Sequence, residues 1–288
     1  MCSSDLTGAY SSNSASVLVR PITPGAPTAL SATVVSTSQI DLTWSQPSDT
    51  GGSTITDYAI QYSTDNTTWT TFADGTSASL SASVTGLSSN TLYYFKVAAV
   101  NAQGTGSYSS STSKATLPNA PTALSGTTVS NTSISLSWTA PSGTATSDYE
   151  IKYSSDNITF NTVTDGVSTS TSVTLTGLSA NQMYYFKVAA INSAGTGAFS
   201  SVAQKQTAPG APTSLSATVV SSSSVSLSWT APTGGNQAIT DYKIEYSSNS
   251  GSTWTTFSDG TSTSTSATVS GLTGTTSDRK STRLNSSH

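Results

Sequence analysis

The fold is decided by IDLTW at Ile40–Trp44 and by DYAIQY at Asp57–Tyr62. In the first phrase Ile40, Leu42 and Trp44 alternate with Asp41 and Thr43. In the second, Tyr58, Ile60 and Tyr62 alternate with Ala59 and Gln61. A period of two marks a strand with one buried face, because the residues of one helix face recur every three or four positions instead. Both phrases return as ISLSW (Ile134–Trp138) with DYEIKY (Asp148–Tyr153), and again as VSLSW (Val225–Trp229) with DYKIEY (Asp241–Tyr246). Trp44 to Trp138 is 94 residues and Trp138 to Trp229 is 91. A repeat of that length is a small domain rather than one turn of a stacked solenoid.

Further landmarks keep the same spacing. TGL, TGL and SGL end at Leu87, Leu178 and Leu272, and LYYFKVAAVN (Leu92–Asn101) and MYYFKVAAIN (Met183–Asn192) follow the first two. Asp74-Gly75, Asp165-Gly166 and Asp259-Gly260 recur at one place, as turns with positive φ require. No segment carries a sustained helical stripe. Several short strands per ninety residues predict an all-β chain of tandem two-sheet antiparallel sandwiches, strung like beads. The joints are TPGAPT (Thr23–Thr28), LPNAPT (Leu117–Thr122) and APGAPT (Ala208–Thr213). Proline cannot donate to a ladder, so these runs end one module and begin the next. They are short enough to make neighbours semi-rigid.

Both ends depart from this register. The tail DRKSTRLNSSH (278–288) and the opening MCSSDL (1–6) resemble translated sequencing adapters, and such segments are set aside before fold reasoning. The expected organisation is therefore 1–6 adapter-derived, 7–22 the last strand of a truncated preceding module, 23–117 and 118–208 complete modules, 209–277 a module truncated before its sixth strand, and 278–288 adapter-derived. TGAYS at Thr7–Ser11 supports the second of these, since it matches TGSYS at Thr105–Ser109 and TGAFS at Thr196–Ser200. On this reading the third copy lacks the partner for Tyr242, Ile244 and Tyr246 and stands open.

The order of Pro-rich entry, second-strand Trp, Tyr-x-Ile-x-Tyr, then Leu-x5-Tyr-x-Phe-x-Val resembles the fibronectin type III family, over residues 24–277. An immunoglobulin domain carries its Trp on the third strand against a disulfide. Here the Trp is on the second strand, and the lone cysteine, Cys2, lies in the adapter-like opening. The resemblance implies strands A, B and E facing C, C′, F and G, and a tyrosine corner at Leu87-x5-Tyr93 and Leu178-x5-Tyr184. YSTDNTTWTTFADGTS and AVNAQGTG resemble bacterial members of secreted and surface proteins, which implies an extracellular location.

Composition narrows the function. With 10 Lys+Arg against 14 Asp+Glu the net charge is −4, leaving no basic footprint for nucleic acid. No apolar run reaches the length of a membrane span. The only histidine is His288, in the adapter-like tail, so a nucleophilic serine has no base and zinc has no ligand set. Asp57, Asp148 and Asp241, and the Asp of each Asp-Gly pair, recur in every copy, which suits local turn bonding better than catalysis or calcium. No Arg-Gly-Asp triplet occurs, and the glycines of NAQGTG and NSAGTG serve a turn. Asn66, Asn131 and Asn157 fit the glycosylation sequon.

What remains is one sheet face. With Tyr93, Phe95 and Val97 inward, Tyr94 and Lys96 point outward, as do Tyr185 and Lys187. Such a Tyr beside a Lys can stack on sugar or dock a partner, or can simply pack across strands. Trp69, Phe160 and Trp254 follow the third strand of each copy, and the alternation does not fix which way they face. Tyr94, Lys96, Tyr185, Lys187 and Trp69 are thus the candidate ligand face, with a glycan or a protein as partner. Glu150 and Lys152 also face outward, and Glu150 is expected to pair with Lys187. No catalytic, cofactor or metal residue is assigned and a monomer is expected. The reading is a non-catalytic spacer or adhesion array from a longer surface or secreted protein. The alternatives are an accessory region of a secreted polysaccharide-degrading enzyme, or a glycan- or protein-binding array.

Overall fold

The computed structural model describes residues 20–273 and the backbone of 282–285. The expectations for 1–6, for a strand at 7–19, and for 274–281 and 286–288 lie outside these residues. All strand pairs are antiparallel, and no helix occurs among the described residues.

The first module runs through β1 (Thr28–Val34), β2 (Ile40–Ser45), β3 (Asp57–Ser63), β4 (Thr70–Phe72), β5 (Ser81–Val84), β6 (Leu92–Asn101), β7 (Gly104–Tyr108) and β8 (Thr112–Ala115). One sheet has the order β1-β2-β5, the other β4-β3-β6-β7, with β8 also on β6. That is the A, B, E against C′, C, F, G arrangement expected. The last strand is broken in two because Ser109 turns inward: its N–H donates to the Val97 carbonyl at 2.8 Å and its Oγ accepts the Val97 N–H at 3.1 Å.

The second module repeats this as β9 (Thr122–Thr128), β10 (Ile134–Thr139), β11 (Asp148–Ser154), β12 (Asn161–Thr162), β13 (Ser172–Leu175), β14 (Met183–Asn192), β15 (Gly195–Phe199) and β16 (Ala203–Gln206). The third has β17 (Thr213–Ser221), β18 (Ser224–Thr230), β19 (Lys243–Tyr246), β20 (Thr255–Phe257), β21 (Ser266–Val269) and β22 (Thr282–Asn285). Here the structure corrects the sequence expectation. β19 was to be left without its partner, yet β22 pairs with it, Lys243 opposite Asn285 and Tyr246 opposite Thr282. An open strand edge carries a row of unsatisfied backbone groups, and a short extended segment within reach satisfies them.

Each core lies between its two sheets and is filled by the alternating residues. Ile40, Leu42, Ile60, Phe95 and Val97 are fully buried in the first module; Ile134, Leu136, Phe186 and Val188 are fully buried in the second, where Ile151 is also in the core. The repeated Trp meets the first Tyr of the third strand edge-on every time. Trp44–Tyr58, Trp138–Tyr149 and Trp229–Tyr242 all have ring centroids 5.2 Å apart. Their indole nitrogens make no hydrogen bond of ordinary geometry. Since this recurs in all three copies, it belongs to the core and not to a site. The first module forms one compact unit; Ser88–Thr91 and the chain from Ala115 onward form the other.

Candidate functional site

The outer face of the β4-β3-β6-β7 sheet is built by the alternation of β6. Tyr93, Phe95 and Val97 enter the core, so Tyr94 and Lys96 stand on the other side, half-exposed. Lys96 lies along the rings of its own face. Its Nζ lies 4.0 Å from the ring centre of Trp69 and 4.7 Å from that of Tyr108. Trp69, just before β4, and Tyr108, on β7, thus flank the lysine from the two sides of β6. A cation between two rings gains from both π faces. Tyr94 sits two residues before Lys96, opposite Ser63.

The second module repeats the stack with phenylalanine. Lys187 Nζ lies 4.1 Å from the ring centre of Phe160 and 4.9 Å from that of Phe199. Tyr185 occupies the position of Tyr94, opposite Ser154. The structure thus brings four of the five candidate residues together in two equivalent pairs, and places Trp69 on the same face as Lys96. Phe160, singled out with Trp69 without a direction, lies on this face, whereas sequence reading missed Tyr108 and Phe199 as members of the stack. The signal for Tyr108 and Phe199 was present, since TGSY and TGAF end at the same position of the repeat.

One expected contact is not made. Glu150 pairs with Lys152 at 3.0 Å rather than with Lys187. The register explains it: Glu150 lies opposite Ala189, whereas Lys152 lies opposite Lys187. Glu150 and Lys152 are two apart on one face of one strand, and Lys187 already has its rings. Lys243 and Glu245 make the same intrastrand pair at 2.6 Å in the third module.

The aspartates before each third-strand Tyr bond across the module, twenty or twenty-one residues on, rather than in the local turn expected. Asp57, Asp148 and Asp241 accept the backbone N–H of Ser77, Ser168 and Ser262 at 2.9, 3.0 and 3.0 Å. Asp65 accepts the N–H groups of Thr68 and Thr67, with help from the Ser63 hydroxyl, which holds its carboxyl well below the usual range. Desolvation, with the charge of Asp57 adding to it, raises the Asp74 carboxyl. Asp74 lines a cleft of about 210 Å³ with Trp44, Tyr58 and serines 77, 79 and 81. No cluster of three or more metal-ligating side chains occurs among the described residues. No helix among them is long and apolar enough to cross a membrane.

Of the two expected tyrosine corners, the one at Tyr184 shows its bond. The Ser179 N–H donates to the Tyr184 hydroxyl at 2.9 Å, five residues back along the turn into β14.

Three successive antiparallel sandwiches, two of them with the full seven-strand pattern, the second-strand Trp packed on the third-strand Tyr in each, and the tyrosine corner of the second define an array of immunoglobulin-like modules of the disulfide-free kind. The chain belongs to the fibronectin type III domain family, whose model matches residues 25–115, 119–206 and 210–277. Among curated proteins it is similar to Titin of Drosophila melanogaster, 30% identical over 253 residues, covering 81% of this chain and 1% of that protein. It is similar also to Protein sidekick-2 of Mus musculus, 31% identical over 78% of this chain and 11% of that protein. Tyrosine-protein phosphatase Lar of Drosophila melanogaster is 28% identical over 76% of this chain and 11% of its own length. The chain thus spans about a tenth or less of these relatives. A solved two-domain fibronectin type III segment from chicken tenascin, 18% identical, covers 62% of this chain and 98% of its own, with a TM-score of 0.41.

Proposed function

We propose that this chain is part of a non-catalytic extracellular spacer and adhesion array, belonging to a longer surface or secreted protein. The observation that carries the reading is recurrence. Successive modules repeat the same core, and the same outward lysine is packed between the same two ring positions in two of them. A catalytic site needs one special environment, whereas a spacer needs the same domain again. The relatives whose names mark them as receptor-type, such as Receptor-type tyrosine-protein phosphatase H of Homo sapiens, support the extracellular location.

A second reading rests on the lysine stacks. Tyr94, Lys96 and Trp69, with Tyr185 and Lys187, form a face suited to a glycan or a protein, because rings and a cation together offer stacking and charge. Surface plasmon resonance of the whole chain over immobilised glycans separates the two. The spacer reading expects background signal; retention that is lost in Trp69→Ala would favour the binding face. The third possibility, an accessory region of a polysaccharide-degrading enzyme, is decided by the flanking gene. A catalytic domain with a carboxylate pair next to this region would replace the spacer reading.

The bacterial origin rests on the phrases at 62–77 and 99–106, and the curated relatives named above are animal proteins. The same flanking sequence decides it, and it also tests the adapter origin of 1–6 and 278–288. On that origin β22 stands in for the native sixth strand of the third module.

A further inference from the structure

Asn181 lies in the loop between β13 and β14, with its backbone in the left-handed region (φ 52°) and its side chain buried. Every polar group it owns is used. Its N–H donates to the Ala208 carbonyl at 2.9 Å, and its Oδ1 accepts from Gln206 Nε2 at 3.0 Å, both within its own module and joint. The other two groups point to the next module. Its carbonyl accepts the N–H groups of Asn236 and Gln237 at 3.0 and 3.3 Å, and its Nδ2 donates to the Gln237 carbonyl at 2.5 Å. Asn236 answers by accepting the Met183 N–H on Oδ1 at 3.1 Å. Gly235 closes the fit. A Cβ there would lie 2.0 Å from the Asn181 oxygen and 2.5 Å from that of Ala180, and its φ of 80° also excludes most side chains.

The arrangement occurs a second time in the same compact unit. Asn90 (φ 51°) is fully buried; its N–H donates to the Leu117 carbonyl at 3.1 Å, its carbonyl accepts the Ala145 N–H at 3.2 Å, and its Nδ2 donates to Thr146 Oγ1 at 2.8 Å. Gly143 (φ 94°) brings its Cα so close that a Cβ would lie 2.5 Å from the Asn90 oxygen. Buried polar groups that are all satisfied specify one geometry, since any sliding leaves several of them unpaired at once.

We infer that the β18–β19 loop of the third module is a docking surface whose partner is the β13–β14 loop of the second, with Gly235 seated on the Asn181 carbonyl. The junction locks the two modules into one body, where the short linker alone would leave them only semi-rigid. The inference concerns the joint and holds whatever the array presents.

Pulsed electron spin resonance on the full chain tests it. Spin labels go on Ile158→Cys and Val219→Cys, both well exposed on the second and third modules, with Cys2→Ser removing the lone thiol of the sequence. The parent should give one narrow distance distribution. Gly235→Ala should broaden it about twofold, as free domain motion would. Asn181→Gly, which keeps the left-handed backbone and removes the side-chain bonds, should broaden it likewise. Gly234→Ala is the control, since it sits at φ 95° with nothing within 4 Å of its Cβ, and should leave the distribution narrow. If Gly235→Ala loses the near-ultraviolet circular dichroism of the parent, Asn181→Gly decides alone. A broad parent distribution, or an Asn181→Gly distribution as narrow as the parent's, overturns the inference.

Discussion

Lys152 and Lys187 stand directly opposite each other on β11 and β14, and both ammonium groups lie 4.9 Å from the ring centre of Phe199. Like charges in register normally destabilise a strand pair. Here Glu150 pairs with the first lysine, Phe160 takes the second, and Phe199 lies under both. The pair is tolerated because its surroundings were built around it.

Phe199→Ala should therefore cost the second module (118–208) about 1–2 kcal/mol, two cation–π contacts and some apolar cover. Added salt should recover part of that loss, because screening relieves a repulsion the ring no longer offsets. Urea titrations at low and high sodium chloride check this; a variant with the salt response of the parent would show that the ring does not bridge the lysines.

Trp138→Ala should cost the same module about 3–5 kcal/mol by opening a core cavity. Tyr184→Phe should cost only about 1 kcal/mol, since it removes the acceptor for the Ser179 N–H and leaves the ring in place. Chemical denaturation of both variants gives the comparison. A Trp138→Ala loss below about 1 kcal/mol would place that side chain outside the core.

Ala29, Ala123 and Ser214 hold φ of 53°, 53° and 55° at the same bulge in the first strand of each module. A left-handed backbone costs a side-chain-bearing residue roughly 1–2 kcal/mol, part of which glycine returns as chain entropy. Ala123→Gly should accordingly raise stability by a few tenths to about 1 kcal/mol. A lower thermal midpoint would show that the Ala methyl contributes packing that outweighs the strain.

Asp156 has its carboxyl lowered by the Ser154 hydroxyl and by the Ile158 and Thr159 N–H groups. A folded pKa below the unfolded one stabilises above the ordinary carboxylate range, and the contribution disappears as pH falls through the folded value. The urea midpoint of the second module should fall on acidification over that window, and less so in Asp156→Asn. The third module already carries the uncharged version, Asn249, which accepts the Thr253 N–H at 2.9 Å.

A chain ending at Ser277 loses β22 and with it one neighbour of β19. Trypsin should then cut at Lys243 much faster than at Lys152, which keeps β14 and β12 on either side. In the full chain Lys243 should resist. Rapid cutting there in both chains would show that β22 gives β19 no protection in solution.

The sequence by itself determined the modules. Alternation placed Ile40, Leu42, Trp44, Tyr58 and Ile60 in one core and did so three times over, because a period of two admits a single division into faces. It also placed Tyr94 and Lys96 outward, which follows from register within one strand, while the corner at Tyr184 followed from the resemblance to the family. What it could not determine was which outward side chains meet. Glu150 pairs with Lys152 and not Lys187 because of the offset between β11 and β14, and Trp69 reaches Lys96 only because the chain after β3 turns back over that face. Asn181 and Gly235 looked like ordinary loop residues, 54 positions apart. Only the folding of two modules against one joint brings that carbonyl to that glycine, because the contact depends on the relative placement of two finished domains and no local pattern encodes it.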